Sequence, residues 1–187
     1  MLRSFLAIEL PKPILRKIEE VQAELRSAHA DVRWVNPEKI HLTLKFFGNI
    51  EESRIDSIFK SIEEPVRSTL PFSLKVRGVG AFPSTKSPRV IWLGLINGQS
   101  LTSLQKQIET QLEKVGFQPE DRPFQPHLTL GRTKSSRGKD ELAGRIEKHK
   151  EEEFGDFQVD RVILFKSDLK PSGPIYTPLG DLRLGSD

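Results

Sequence analysis

The tetrapeptide His-Leu-Thr-Leu occurs twice in the chain, at residues 41–44 and again at 127–130. Only four histidines are present, and two of them begin these copies. Read as strands, both copies alternate. His41 and Thr43 share one face and Leu42 and Leu44 the other; His127 and Thr129 stand likewise against Leu128 and Leu130. Each copy therefore offers an imidazole beside a hydroxyl on one side and two leucines to a core on the other. A lone His-x-Thr on a strand is more often structural, and the pairing is what favours function. An imidazole titrates at about pH 6.5, so near neutral pH one ring of a pair acts as a neutral base while the other is a protonated acid. A neighbouring hydroxyl donates a hydrogen bond to a non-bridging phosphoryl oxygen. This combination suits displacement at phosphorus, where a nucleophile loses a proton on one side and a leaving oxygen gains one on the other.

Other chemistries fit less well. Two histidines need further ligands to hold a metal, and neither motif carries an Asp or Glu in phase, so no metal and no cofactor is expected. No P-loop, G-x-G-x-x-G, H-E-x-x-H or G-x-S-x-G pattern occurs. The absence of cysteine rules out thiolate nucleophiles, disulfides and cysteine-based zinc sites. Apolar residues make up 36% and charged residues 29%, an ordinary globular balance. The net charge of +3 permits a polyanionic partner without requiring one, because basic and acidic residues are interleaved, as in "RKIEEVQAELR". No apolar run reaches the roughly 18 residues of a membrane span. The opening "MLRSFLAIELPKP" is interrupted by Glu9 and followed by Pro11, and reads as a first strand rather than a leader. The cytoplasm is the default expectation.

The elements that must position the motifs are legible from periodicity. Helix-face spacing joins Ile14, Ile18, Val21 and Leu25. It recurs in Ile55, Ile58, Phe59, Ile62 and Val66, then in Leu101, Leu104, Ile108, Leu112 and Val115, with Gly116 as a stop. A shorter set is Leu142 and Ile146. Strand-like runs lie between: "RSFLAIEL", "VRWV", "HLTLKFF", "FSLKVRGVGAF", "RVIWLGL", "HLTLGR", "FQVDRVILFKS" and "IYTPLGDLRL". Loop chemistry marks "FPSTKSP", "QPEDRPFQP" and "LKPSGP". Irregular alternation with adjacent strand pairs predicts an α+β fold with mostly antiparallel sheets. No linker divides residues 1–187, so one domain is expected. A helix precedes each motif, which hints at two related halves.

In this ordered context the chain becomes recognisable. "RSFLAIELP", "WVNPEKIHLTLKFFGNI", "GVGAFPSTKSPRVIWLGL", "FQPHLTLGR" and "SDLKPSGPIYTPL" follow one another over nearly its whole length. They resemble the RNA 2′,3′-cyclic phosphodiesterases (2′-5′ RNA ligase-like proteins) of the 2H phosphoesterase superfamily. The resemblance implies a bilobal fold, with two similar antiparallel sheets and flanking helices around a central cleft and one motif per lobe. It implies metal-independent hydrolysis of RNA ends carrying 2′,3′-cyclic phosphate to 2′-phosphomonoesters. It matches His41 to the proton donor, His127 to the proton acceptor, and Thr43 and Thr129 to the hydroxyls that hold the phosphate. A monomer is expected, with no membrane and no protein partner implied.

Two further residues are candidates for substrate binding. Lys45 is in phase with His41 and Thr43 on an ideal strand, so it would line the cleft. Arg132 falls on the leucine face by strict alternation, but Gly131 would permit a bulge that swings it back. Phe5, Trp34, Phe47 and Phe82 could stack a base, with core packing the commoner fate, and Arg89 could meet a backbone phosphate. His29 and His149 read as surface or capping residues, and "RTKSSRGK" as a basic loop next to the second motif. Two rival readings remain: 2′-5′ ligation of RNA ends at the same site, and a non-catalytic RNA-binding module whose binding would fall steeply with salt.

Overall fold

The structure is a computed structural model and describes residues 1–96 and 98–185. Nine strands and four α-helices are described, with two single-turn 3-10 helices at Pro37–Lys39 and Glu52–Arg54: β1 (Leu2–Glu9), α1 (Lys12–Arg26), β2 (Val32–Trp34), β3 (His41–Ile50), α2 (Ile55–Ser68), β4 (Phe72–Ser84), β5 (Ser87–Ile96), α3 (Gln99–Lys114), β6 (His127–Thr133), α4 (Lys139–Lys148), β7 (Glu153–Val159), β8 (Arg161–Asp168) and β9 (Ile175–Arg183). They build the expected α+β architecture: a four-stranded sheet in the order β3-β1-β8-β9 and a five-stranded sheet in the order β2-β6-β5-β4-β7. Every strand pairing is antiparallel.

The two sheets share a plan. In each, a strand and a helix lead to the motif strand, which returns antiparallel beside the first: β1-α1-β3 in one, β5-α3-β6 in the other. Each half of the chain then lends strands to the opposite sheet, β2 and β4 from the first half and β8 and β9 from the second. β4 pairs with β5, and β8 pairs with β1. The halves are thereby interlocked, so neither lobe completes its sheet alone. The motif strands β3 and β6 come into contact where the lobes meet.

Most of the residues that helix periodicity singles out are buried, while Ile55 and Phe59 of α2 are half-buried and Val115 lies just beyond the end of α3. Ile14, Ile18, Val21 and Leu25 of α1 are all buried, as are Leu101, Leu104, Ile108 and Leu112 of α3. α1 packs toward β7 and α4 under the five-stranded sheet, while α2 and α3 lie under β9 and β3 of the four-stranded one. The core faces of both sheets and all four helices merge into one apolar cluster. A second, smaller cluster of Phe5, Ala7, Ile163 and Phe165, with Tyr176 against it, forms on the other face of the four-stranded sheet, beneath the cleft.

Two boundaries differ from the sequence reading. "FQVDRVILFKS" is two strands rather than one: β7 belongs to the five-stranded sheet and β8 to the four-stranded sheet, with Asp160 between them. Phe157 and Val159 of β7 and residues 162–165 of β8 are buried on either side of exposed Asp160, which alone does not announce a change of sheet. "FPSTKSP" is a tight hairpin rather than a loop, with Ser84 paired to Ser87 across two turn residues.

Candidate active site

The site is set by what happens at the last letter of each motif. Along β1 and β3, Ala7 pairs with Thr43 and Leu6 with Lys45, so Leu44 is an extra residue in the ladder. Along β5 and β6, Trp92 pairs with Thr129 and Ile91 with Gly131, so Leu130 is extra. Both copies of His-Leu-Thr-Leu thus end in a bulge, which reverses the phase of the strand beyond it. Before the bulge His41, Thr43, His127 and Thr129 are half-buried on the cleft faces, and the four leucines are buried in the core.

The reversal corrects one expectation. Lys45 does not line the cleft. It pairs with Leu6 on the core face and is 4% exposed. Its Nζ donates to the Gln118 carbonyl at 2.6 Å and forms an ion pair with Glu109 of α3 at 3.0 Å. Arg132, which strict alternation hid, returns to the cleft side. It pairs with Val90 and with Arg33, and it is exposed without an ion pair among the described residues. Gly131 makes the crossing of β2 possible: a Cβ there would lie 2.8 Å from Val32 Cγ1 and 3.0 Å from the Trp34 ring. Phe46 occupies in β3 the place that Arg132 has in β6. It is 41% exposed, with the Arg3 guanidinium 4.6 Å above its ring.

The two imidazoles are held alike. His41 Nδ1 bonds the Lys39 carbonyl at 2.9 Å, and His127 Nδ1 bonds the Gln125 carbonyl at 2.6 Å. In each case the carbonyl is two residues before the ring. A carbonyl accepts, so Nδ1 carries the proton and Nε2 is left to exchange one. The surroundings differ. The His41 ring stacks on Phe5 at 4.6 Å and meets the edge of Tyr176 at 5.2 Å. Burial lowers the His41 pKa from its ordinary 6.5, and the Lys39 carbonyl partly opposes this by favouring the charged ring. Among the described residues His127 has one ring contact, edge-on with Phe82 at 5.2 Å. Thr43 and Thr129 make no side-chain hydrogen bond among the described residues and are one alternation from their histidines.

Other candidates fall out as follows. Phe5 and Phe82 support the histidines, and Phe47 packs on Phe117 at 5.0 Å, away from the motif face. Trp34 lies against Arg26 and Gly131. Arg89 is exposed near the turn of the β4–β5 hairpin, and the loop after β6 is exposed over much of its length. His29 sits in a left-handed turn after α1. His149 caps α4 but is buried rather than on the surface, with Glu24 at 3.0 Å and Glu152 on its other nitrogen. Arg33 was missed by sequence reading. Its place on the cleft face depends on pairing with Arg132, which no local signal announces. Among the described residues no group of three or more His, Asp or Glu side chains is arranged to hold a metal ion, and no helix is long and apolar enough to cross a membrane.

Known proteins share this fold. The family model of the 2′-5′ RNA ligase superfamily matches residues 10–171. The RNA 2′,3′-cyclic phosphodiesterase of Methanothermobacter thermautotrophicus is 40% identical over 97% of this chain and 98% of its own. That of Methanocaldococcus jannaschii is 37% identical over 94% and 96%. The crystal structure of TT0787 of Thermus thermophilus superposes with a TM-score of 0.83 at 28% identity, covering 100% of both chains. LigT of E. coli in complex with 3′-AMP superposes with a TM-score of 0.80 at 26% identity over 98% of each. The extent of these matches, together with the paired motifs, makes the chain a member of the 2′-5′ RNA ligase superfamily.

Proposed function

We propose that the protein hydrolyses RNA ends carrying a 2′,3′-cyclic phosphate to 2′-phosphomonoesters, without a metal ion, by acid–base catalysis from two histidines. The observation that carries this reading is the matched pair of Nδ1–carbonyl bonds, which leaves both Nε2 atoms available for proton exchange, each with a threonine hydroxyl close by. The substrate class is that of the two archaeal relatives, which are RNA 2′,3′-cyclic phosphodiesterases and align over nearly their full length.

In the proposed reaction, neutral His127 takes a proton from water through Nε2 as the water oxygen forms a bond to phosphorus. The bond from phosphorus to the 3′ oxygen breaks, and protonated His41 delivers its Nε2 proton to that oxygen. Thr43 and Thr129 donate hydrogen bonds to the non-bridging oxygens, where charge builds up in the transition state. Arg132 and its neighbour Arg33 neutralise phosphate charge from the side of the second motif. The incoming phosphodiester anion also favours the charged form of His41, which offsets the effect of burial on that ring.

The test is incubation of the protein, in the presence of a metal chelator, with an oligonucleotide ending in 2′,3′-cyclic phosphate. The expected product is the 2′-phosphate with a free 3′-hydroxyl. A 3′-phosphate product, no turnover, or turnover only after a divalent metal is added would overturn the proposal.

A further inference from the structure

Two buried glutamines hold matching places in the two halves, outside the motifs. Gln22 of α1 is 1% exposed and Gln105 of α3 is 6% exposed. Each lies in the same local pattern. Gln22 falls within Ile18-x-x-Val21-Gln22-x-x-Leu25 and Gln105 within Leu101-x-x-Leu104-Gln105-x-x-Ile108, and all of these named side chains are buried. An amide is a poor choice for such a position. Leucine there would favour the helix more and would not require a polar group to be desolvated. Packing alone therefore does not account for glutamine at both places.

Their hydrogen bonds do. Gln105 Nε2 donates to the Leu44 carbonyl at 3.3 Å. Gln22 Nε2 donates to the Leu130 and Val35 carbonyls, each at 2.9 Å. Leu44 and Leu130 are the two bulged residues. A bulge interrupts the ladder, and each of these two carbonyls takes a side-chain donor there: Gln105 at Leu44, and Gln22 at Leu130 beside the Val35 N–H, which donates to the same oxygen at 2.8 Å. The pattern is also crossed. α1 follows β1 of the four-stranded sheet, yet its glutamine holds β6 of the five-stranded one. α3 follows β5 of the five-stranded sheet and holds β3 of the other.

We propose that Gln22 and Gln105 are positioning residues that fix the phase of the motif strands, each half of the chain aligning the other half's share of the active site. Gln22 sets His127, Thr129 and Arg132; Gln105 sets His41, Thr43 and Phe46. The catalytic consequence rests on the two-histidine reading above. The geometric consequence does not.

The test uses Gln22→Met and Gln105→Met, which keep length and apolar volume but remove the donor. Two readouts are taken on the full chain: imidazole resonances of the four histidines through a pH titration, and kcat on an oligonucleotide ending in 2′,3′-cyclic phosphate. Gln22→Met is expected to move His127 and leave His41 in place, and Gln105→Met to do the reverse. Each is expected to lower kcat by about tenfold, as displacement of a reacting group by a fraction of an ångström does. Folded variants that keep both imidazoles where they are in the parent, or that move both alike, overturn the proposal, because loss of packing without positioning gives either result. So does kcat within about twofold of the parent, a change too small for a lost alignment. Gln105 gives up a single, longer bond, so Gln105→Met decides the matter alone if Gln22→Met does not fold. If the parent itself leaves the oligonucleotide intact, the functional reading fails, while the crossed pattern of the imidazoles still tests this one.

Discussion

The strands β3 and β6 are alike for four residues and then part company. In β3 the residue after the bulge is Lys45, buried and tied to Glu109 and the Gln118 carbonyl. In β6 it is Gly131, whose missing side chain leaves room for Val32 and Trp34 of β2. The reason lies in the sheets: β3 is an edge strand, whereas β6 has β2 on its outer side. One residue further on, Phe46 and Arg132 both turn to the cleft, one apolar and one charged. The histidines follow the same division. His41 rests on a layer of aromatic rings, and His127 shares its face with Arg132 and Arg33. The difference teaches that a duplicated motif can keep its hydrogen-bonding geometry while its surroundings diverge. The apolar setting disfavours a charged His41, so the proposed acid depends on the bound phosphodiester anion to keep its proton.

The sharpest way to break the comparison is to remove each ring. His41→Ala and His127→Ala are each expected to lose about 10²- to 10⁴-fold in hydrolysis, the usual weight of general acid or base catalysis. The fold should survive, since both rings are half-buried on the cleft face. A substrate with bridging sulfur at the 3′ position separates the roles, because a departing thiolate needs no proton. It should restore activity to His41→Ala and not to His127→Ala. Restoration of the other variant would exchange the assignments.

How the sequence foreshadowed this site is clear from the same residues. The alternation of His-Leu-Thr-Leu correctly paired each histidine with its threonine, because within the motif the strands are regular. It failed one step later. Strict alternation places Lys45 in the cleft, which the bulge at Leu44 reverses; for Arg132 the bulge that Gly131 permits is present, at Leu130, and turns it to the cleft side. A bulge is a property of two strands and of the donors that serve its carbonyl, and for Leu44 and Leu130 these include side chains on α3 and α1. Gly131 was a usable hint for one copy, but no glycine marks the other. The helices and the α+β class were legible because single apolar faces fix them. The change of sheet at Asp160 was not, since β7 and β8 are both rich in buried apolar residues.

The buried lysine gives the next largest effect. Lys45→Ala leaves Glu109, itself only 14% exposed, without its nearest cation and the Gln118 carbonyl without its donor. Removing one member of a buried pair costs about 3 kcal/mol. The loss should appear in the thermal midpoint and denaturant midpoint rather than in kcat. A variant as stable as the parent would show that the pair is solvated in solution.

The comparison between Phe46 and Arg132 sharpens at the level of binding. Arg132→Ala should raise KM by about tenfold at low salt, and it should reduce the slope of log KM against log salt by about one charge. Phe46→Ala should raise KM by a similar or smaller factor, corresponding to about 1 kcal/mol of lost base stacking, with the salt slope unchanged. Equal slopes for the two variants would dissolve the distinction between a cationic and an apolar side of the cleft.

The smallest expected effect lies in the pH profile. Burial holds the His41 pKa below 6.5 in the free protein. The proposed acid must be protonated to work, so kcat/KM should fall as pH rises through that lowered value, placing the alkaline limb below the ordinary imidazole position. Bound phosphodiester favours the charged ring, so the corresponding limb of kcat should lie at higher pH than that of kcat/KM. Phe5, stacked on the ring at 4.6 Å, supplies part of the burial. Phe5→Leu admits water to His41 and should move the kcat/KM limb upward, toward 6.5, without bringing a comparable change to the limb set by His127. The sign matters more than the size. A downward movement would mean that Phe5 stabilises the charged ring through its π face, and that the apolar side of the cleft prepares the acid rather than opposing it.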